Sequence, residues 1–276
     1  MRIAAGVCYD GSPFEGWQSQ PSGNTVQDRL ESAFSAVADA PVRVVAAGRT
    51  DAGVHAIAQV VHFDCAVWRA DNAWVRGANA LLPGEIAVQW ARPVDDGFHA
   101  RFSAEARSYC YVLYNHPVRH GLLSRHVGWY HRPLDAQAMR AAAALLVGEQ
   151  DFSAFRSSEC QAKAPVRRMM STAVRTRGPY LFLEFTANAF LHHMVRNIVG
   201  CLVYVGSGRH PPEWMAELIA GRDRRAAAPT FSPAGLYLAE VRYPAGCMLP
   251  DFAPLLPLEL VPGAGALKIA AGVGDR

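Results

Sequence analysis

Apolar and polar positions along the chain change period several times, and each change marks an element. Arg2 to Tyr9 is a nearly continuous apolar run of strand length. After a turn-rich stretch, Val26, Leu30, Ala33, Phe34 and Val37 recur at helical spacing. Asn24 or Thr25 stands before them as a cap, and Thr25-x-x-Asp28 is a variant of the capping box. Strands are expected over 42–47 and 57–64, a helix near 71–81 ending at Pro83, and a strand over 86–90. The order is β-α-β-β-α-β. The second half repeats it. Strand 108–115 is followed by an alanine-rich helix over 135–147, strands 169–177 and 180–187 joined by Gly178-Pro179, a helix over 189–204 and a strand over 235–243.

That repetition predicts an α+β protein of two tandem ferredoxin-like βαββαβ units. Their mainly antiparallel sheets would pack about a pseudo-twofold axis with a central cleft between them. The expected units are 1–103 and 104–244, and a proline-rich stretch over 245–276 reads as a surface appendage or as partly disordered. The duplication also directs attention. The central hairpin of the second unit turns in two residues, whereas that of the first carries Gly48-Arg49-Thr50-Asp51-Ala52-Gly53-Val54-His55. An elaborated loop on one copy of a repeated scaffold is where chemistry is expected.

Composition narrows the classes. With 276 residues and 51% hydrophobic content, the chain can bury one large or two small cores. No apolar run approaches the roughly 18 residues of a membrane span, and the N-terminus lacks a signal-peptide pattern. Six scattered cysteines without a C-x-x-C pair argue against a zinc cage and for a reducing cytoplasm. All but two of the 27 basic residues are arginine, which an arginine-for-lysine bias largely explains. Their clustering says more. Arg156 to Arg177 holds six basic residues against Glu159, and Arg101 to Arg125 holds four arginines against Glu105. Such acid-poor stretches suit either a polyanionic partner or a solvated basic face.

Within this frame Asp51 is the leading candidate for chemistry. An aspartate near a guanidinium such as Arg49 is an anion at neutral pH, better suited to nucleophilic attack than to donating a proton. Arg49 can also engage phosphate. The plain alternative is a salt-bridged hairpin. Arg196 lies in an apolar segment, Phe190 to Gly200, and should not be buried without a carboxylate. Asp51 is the natural partner, and Glu184 or solvent the alternative. Adjacent helical residues point about 100° apart, so His192 and His193 are not expected to share a metal ion. Tyr109 and Tyr111 fall on one face of a strand, where Tyr109 can stack on a base or pack in the core.

Taken together these stretches resemble the tRNA pseudouridine synthase A family. The likeness runs through Tyr9-Asp10-Gly11 to Gln18, Ala47 to Ala56, Gln59 to Phe63, Phe98 to Ser103, Arg107-x-Tyr109-x-Tyr111, and Arg156 to Arg168. It continues through Phe190 to Gly200 and Ala234 to Leu238, covering about residues 2–244. The resemblance implies isomerisation of uridine to pseudouridine at positions 38 to 40 of the tRNA anticodon stem-loop, by a homodimer without metal or organic cofactor. It implies Asp51 as nucleophile, Arg196 as its ion-pair partner, Tyr109 stacked on the uracil, Arg49 displacing the base, and Leu236 lining the pocket. Two other readings compete. A non-catalytic RNA-binding module would lack need of the Asp51 loop, and a glycosidase would need a second carboxylate nearby.

Overall fold

A computed structural model describes residues 1–250; the remainder of the expected appendage, 251–276, lies outside the described residues. In chain order the elements are β1 (Arg2–Tyr9), α1 (Val26–Ala38), β2 (Val45–Ala46), β3 (His55–Asp64), α2 (Asp71–Leu81), β4 (Ile86–Val94), β5 (Ala106–Asn115) and β6 (Gly128–Tyr130). They continue with α3 (Ala136–Ala144), β7 (Gly148–Asp151), β8 (Val166–Arg177), β9 (Tyr180–Ala187), α4 (Met194–Gly206), α5 (Trp214–Gly221) and β10 (Leu236–Arg242). The protein is α+β.

Local chemistry explains most of these boundaries. Thr25 caps α1, its side chain accepting from the Asp28 N–H at 3.2 Å. The strand expected over 42–47 shrinks to two residues because α1 claims its backbone. The Val42 N–H donates to Ser35 Oγ at 2.9 Å, and the Val44 N–H to Glu31 Oε1 at 3.0 Å. The helix expected from 189 starts only at Met194. His193 takes a left-handed conformation, φ 63°, which ends the turn before it. Strands β6 and β7 and helix α5 had not been expected. Each is too short for a period to show.

The strands form one mixed, mostly antiparallel sheet in the order β4-β1-β3-β10-β5-β9-β8-β7, with β2 also on β3 and β6 also on β5. This corrects the expectation of two separate sheets. Short β2 covers β3 only at His62 and Val61, leaving the start of that edge free. There β10 pairs in parallel, Tyr237 with His55 and Leu238 with Ala56, which satisfies two edges at once. The two halves therefore meet at the point where the Asp51 loop enters β3.

One apolar cluster gathers Leu30 and Phe34 of α1, Trp74 of α2, Met139 of α3 and Ile198 of α4 against Ile3, Val7, Phe63 and Leu183 of the sheet. Smaller clusters on Ala4, Val60 and Phe98, and on Ile57, Val112 and Tyr237, back the sheet elsewhere. Burying β1 on both faces demands small residues: a Cβ on Gly6 would stand 2.1 Å from Trp90 Nε1. Cys247 and Leu249 pack on the Phe98 cluster, so the first residues of the expected appendage belong to the folded body.

Candidate active site

The loop from Ala47 to Val54 is held from several sides. Ala47 N–H donates to Val60 O at 2.8 Å. The Gln59 amide donates to Gly48 O at 2.6 Å, and Tyr9 Oη lies 2.8 Å from Thr50 Oγ1. Trp17 N–H donates to Thr50 O at 2.9 Å, and Val54 N–H closes a turn on Asp51 O at 3.1 Å. Gly53 has φ 76°, a conformation that disfavours a side chain. A loop so fixed presents the Asp51 side chain at a defined place.

Three cationic or imidazole groups converge there. Arg196 Nη1 donates to Asp51 Oδ2 at 2.9 Å, with the two side chains only 14% and 20% exposed. The same guanidinium donates through Nε to Phe231 O at 2.9 Å, which aligns it. The alternative partner Glu184 is engaged with Arg175 at 3.0 Å. His192 Nε2 stands 3.3 Å from Asp51 Oδ1 and His193 Nε2 3.4 Å from Oδ2. The premise that these histidines diverge on a helix is therefore wrong. Both precede α4, and the left-handed backbone of His193 turns its ring onto the same carboxylate as its neighbour's. Burial lowers the His193 pKa, against the opposing pull of Asp51.

Other sequence candidates fall around this centre unevenly. Tyr109 is 9% exposed, packs edge-on against Phe190 at 5.0 Å, and points its hydroxyl towards Gly48. Burial chiefly, then Tyr9 and Asp51, raises its pKa. Leu236 is buried in the main cluster, paired across the ladder with Tyr111. Arg49 is exposed, and among the described residues its side chain forms no ion pair or hydrogen bond. The guanidinium beside Asp51 is Arg196, and Arg49 is left for solvent or a ligand.

The arginine-rich segments offer fewer unengaged guanidinium groups than their count suggested. Arg156 donates to the carbonyls of Cys160 and Ala162, and Arg167 to those of Ala164 and Val166. Arg101, Arg119, Arg125 and Arg168 stay exposed.

Two supporting residues had no role in the sequence reading. Arg107 is buried and lacks a carboxylate partner among the described residues. Its guanidinium donates to Ala47 O at 3.0 Å, Asn188 O at 2.9 Å, Ala104 O at 3.1 Å and Arg101 O. It ties the Asp51 loop to the segments leading to Phe102 and to His192. Burial lowers its pKa. His55 Nε2 faces the carbonyls of Arg125 at 2.9 Å and Ala234 at 3.1 Å, while Gly11 N–H donates to Nδ1 at 3.1 Å. Both nitrogens are thus engaged in pinning the start of β3 to the second half. The available signal was a polar residue at an apolar strand position, such as His55 or Gln59. Two groups bring three metal-ligating atoms within 4.8 Å of one another: Asp51, His192 and His193, and Asp10, His55 and His126.

The geometry defines an α+β protein with a half-buried carboxylate from one half, ion-paired to an arginine from the other. The family model described as tRNA pseudouridine synthase matches residues 5–103 and 142–244, and the chain belongs to that family. It is 62% identical over 243 residues to tRNA pseudouridine synthase A of Paraburkholderia xenovorans, covering 88% of this chain and 90% of that protein. To the protein of that name from Burkholderia multivorans it is 60% identical over 250 residues, 91% and 93% of the two chains. It is accordingly an enzyme of the pseudouridine synthase class. A chain in the crystal structure of a Cbf5-Nop10-Gar1 complex aligns with 86% of this chain and 48% of its own length. With a TM-score of 0.34 and 12% identity, it bears on neither fold nor function. Among the described residues no helix is long and apolar enough to cross a membrane.

Proposed function

We propose that this enzyme isomerises uridine to pseudouridine at positions 38, 39 and 40 in the anticodon stem-loop of tRNA, with Asp51 as nucleophile on a flipped uridine. The reading rests above all on the Arg196–Asp51 pair, 2.9 Å long and half-buried, in a chain of this family. The reaction breaks C1′–N1 and forms C1′–C5, and the proton leaving C5 is balanced by one gained at N1. Substrate and product have the same atoms, so the chemistry consumes no donor or redox partner.

Asp51 attacks C1′, adds to C6 or removes the 2′ proton. Each route needs an anionic carboxylate beside an unstacked base. The contacts favour Oδ1 as the working oxygen, since Oδ2 is engaged by both Arg196 and His193. Flipping costs a few kcal/mol. Stacking on Tyr109 and phosphate contacts from Arg49 and the other exposed arginines offset it. Leu236 lines the pocket. The basic groups within 4 Å of the Asp51 carboxylate, among the described residues, are Arg196, His192 and His193, whereas a glycosidase would place a second carboxylate about 5–9.5 Å away.

The wider reading is an RNA-binding, cytoplasmic homodimer that works without a resident metal. Its two ferredoxin-like units, 1–103 and 104–244, flank a central cleft. The strand orders support the duplication: β4-β1-β3-β2 in one half matches β10-β5-β9-β8 in the other. The test is incubation with an unmodified tRNA set and mapping of pseudouridine by position. Product is expected at 38 to 40, and Asp51→Ala should lower turnover on the order of 10^4-fold or more. No product from the wild type overturns the activity, product elsewhere overturns the positions, and full turnover by Asp51→Ala overturns the nucleophile.

A further inference from the structure

We propose that Asp51, His192 and His193 form a site for a divalent transition-metal ion, best fitted to Zn2+, whose occupation silences the enzyme. The argument begins with spacing. Ligands about 2.0–2.1 Å from a tetrahedral ion stand roughly 3.3–3.4 Å apart. His192 Nε2 is 3.3 Å from Asp51 Oδ1, and one ligand atom from each of the three residues falls within 4.8 Å of the others. One separation in the set of two imidazoles and a carboxylate already matches coordination, and the others lie within 4.8 Å, a gap that side-chain rotation closes.

The donors suit the ion. Two imidazoles select zinc, copper or nickel over magnesium, which prefers an all-oxygen shell. Side-chain exposures of 35%, 26% and 20% for His192, His193 and Asp51 leave the set reachable from solvent. The other candidate group fails on this point: His55 has both nitrogens hydrogen-bonded to backbone, so no lone pair is free.

Arg196 determines what kind of site this is. Its guanidinium, 2.9 Å from Oδ2, repels a dication and leaves Oδ1 as the ligand oxygen. A resident structural metal is thereby disfavoured and a reversible one fits. Coordination ties up the oxygen that the catalytic reading uses, so the loaded protein cannot react. The site itself follows from geometry and does not depend on that reading.

Calorimetric titration of the reduced full chain with Zn2+ tests the proposal, with Mg2+ as control and Co2+ as a spectroscopic probe. Expected are binding of Zn2+ but not Mg2+ and an intense tetrahedral Co2+ spectrum. The chain's six cysteines, none in a disulfide, make the absence of a thiolate-to-metal band essential. His192→Gln, His193→Gln and Asp51→Asn should each weaken binding by at least about 10-fold. In the turnover assay Zn2+ should inhibit and a chelator should restore activity. Unchanged affinity in all three variants, a thiolate band, or equal binding of Mg2+ overturns the site. Undiminished turnover with the site filled overturns the silencing.

Discussion

Two hairpin connections occupy matching places in the two halves, and they differ in what holds them. β8 and β9 are joined by Gly178 and Pro179 alone, both exposed, and a Cβ on Gly178 would meet nothing within 4 Å. β2 and β3 are joined by the eight residues Ala47 to Val54. Tyr9, Trp17, Gln59 and Arg107 all reach that longer loop from elsewhere. The short turn takes one bond from outside its ladder, the Asn115 N–H donating to Pro179 O at 2.7 Å, a backbone contact that no turn side chain makes. The long one depends on the rest of the fold, and that dependence lets it hold a carboxylate against groups from the other half. If the comparison is sound, substitutions around the long loop should damage activity beyond their effect on stability, and substitutions in the short turn should not.

After Asp51→Ala itself, the largest effect is expected from Arg196→Met. It removes the cation paired with Asp51 and the donor to Phe231 O, leaving a half-buried carboxylate with two imidazoles. Loss of one aligned electrostatic group costs on the order of 10^2–10^3 in kcat. Arg196→Lys should recover little, since one ammonium cannot reproduce both directed bonds. Single-turnover kinetics on tRNA would measure this, and a kcat within a few-fold of wild type would remove Arg196 from the site.

Arg107→Met comes next and acts mainly through stability. It strips donors from the carbonyls of Ala47, Asn188, Ala104 and Arg101, so a loss of roughly 2–4 kcal/mol is expected. Activity per folded molecule should fall as well, because two of those carbonyls flank Asp51 and His192 in sequence. Denaturant unfolding beside active-fraction titration separates the two effects. Lost stability with intact specific activity would mean that Arg107 supports the fold alone.

These two arginines show where sequence reading works. Arg196 was legible as a charge in an apolar segment, which burial obliges to find a counter-charge. The Gly178-Pro179 turn and helices α1 and α2 were legible from period and punctuation. Arg107 was not, because its partners are backbone carbonyls, and a carbonyl has no residue-type signature. The convergence of His192 and His193 was hidden by one backbone angle at His193 that makes α4 begin five residues later than the apolar pattern suggests. The single sheet was hidden because β10 and β3 pair over only two residues, set by the shortness of β2. Separations of this kind depend on which edge is left free, not on local composition.

Gly53→Ala should have an intermediate effect. The left-handed backbone at φ 76° costs about 1–2 kcal/mol with a side chain, and the new Cβ would lie 3.0 Å from Pro233 Cγ. Pro233 opens the short turn whose Ala234 carbonyl faces His55, so the strain is passed to the junction of the halves. A displacement near 1 Å at a reacting centre costs about 10^2-fold. A 10- to 100-fold loss in kcat with modest destabilisation is therefore expected.

Gly178→Ala is the counterpart in the short turn and should do least. Gly178 also has positive φ, 53°, so an alanine meets a similar backbone penalty of about 1 kcal/mol. Nothing stands near its Cβ, and the flanking pair Arg177–Tyr180 belongs to the regular β8–β9 ladder. The change should lower the unfolding midpoint slightly and leave kcat and KM untouched. The pair of alanine variants is the sharpest form of the comparison, since the covalent change is the same and both backbones are left-handed. Equal losses of activity at 53 and 178 would mean that backbone strain anywhere in this sheet disturbs the site. A loss confined to Gly53 assigns the sensitivity to what the long loop touches.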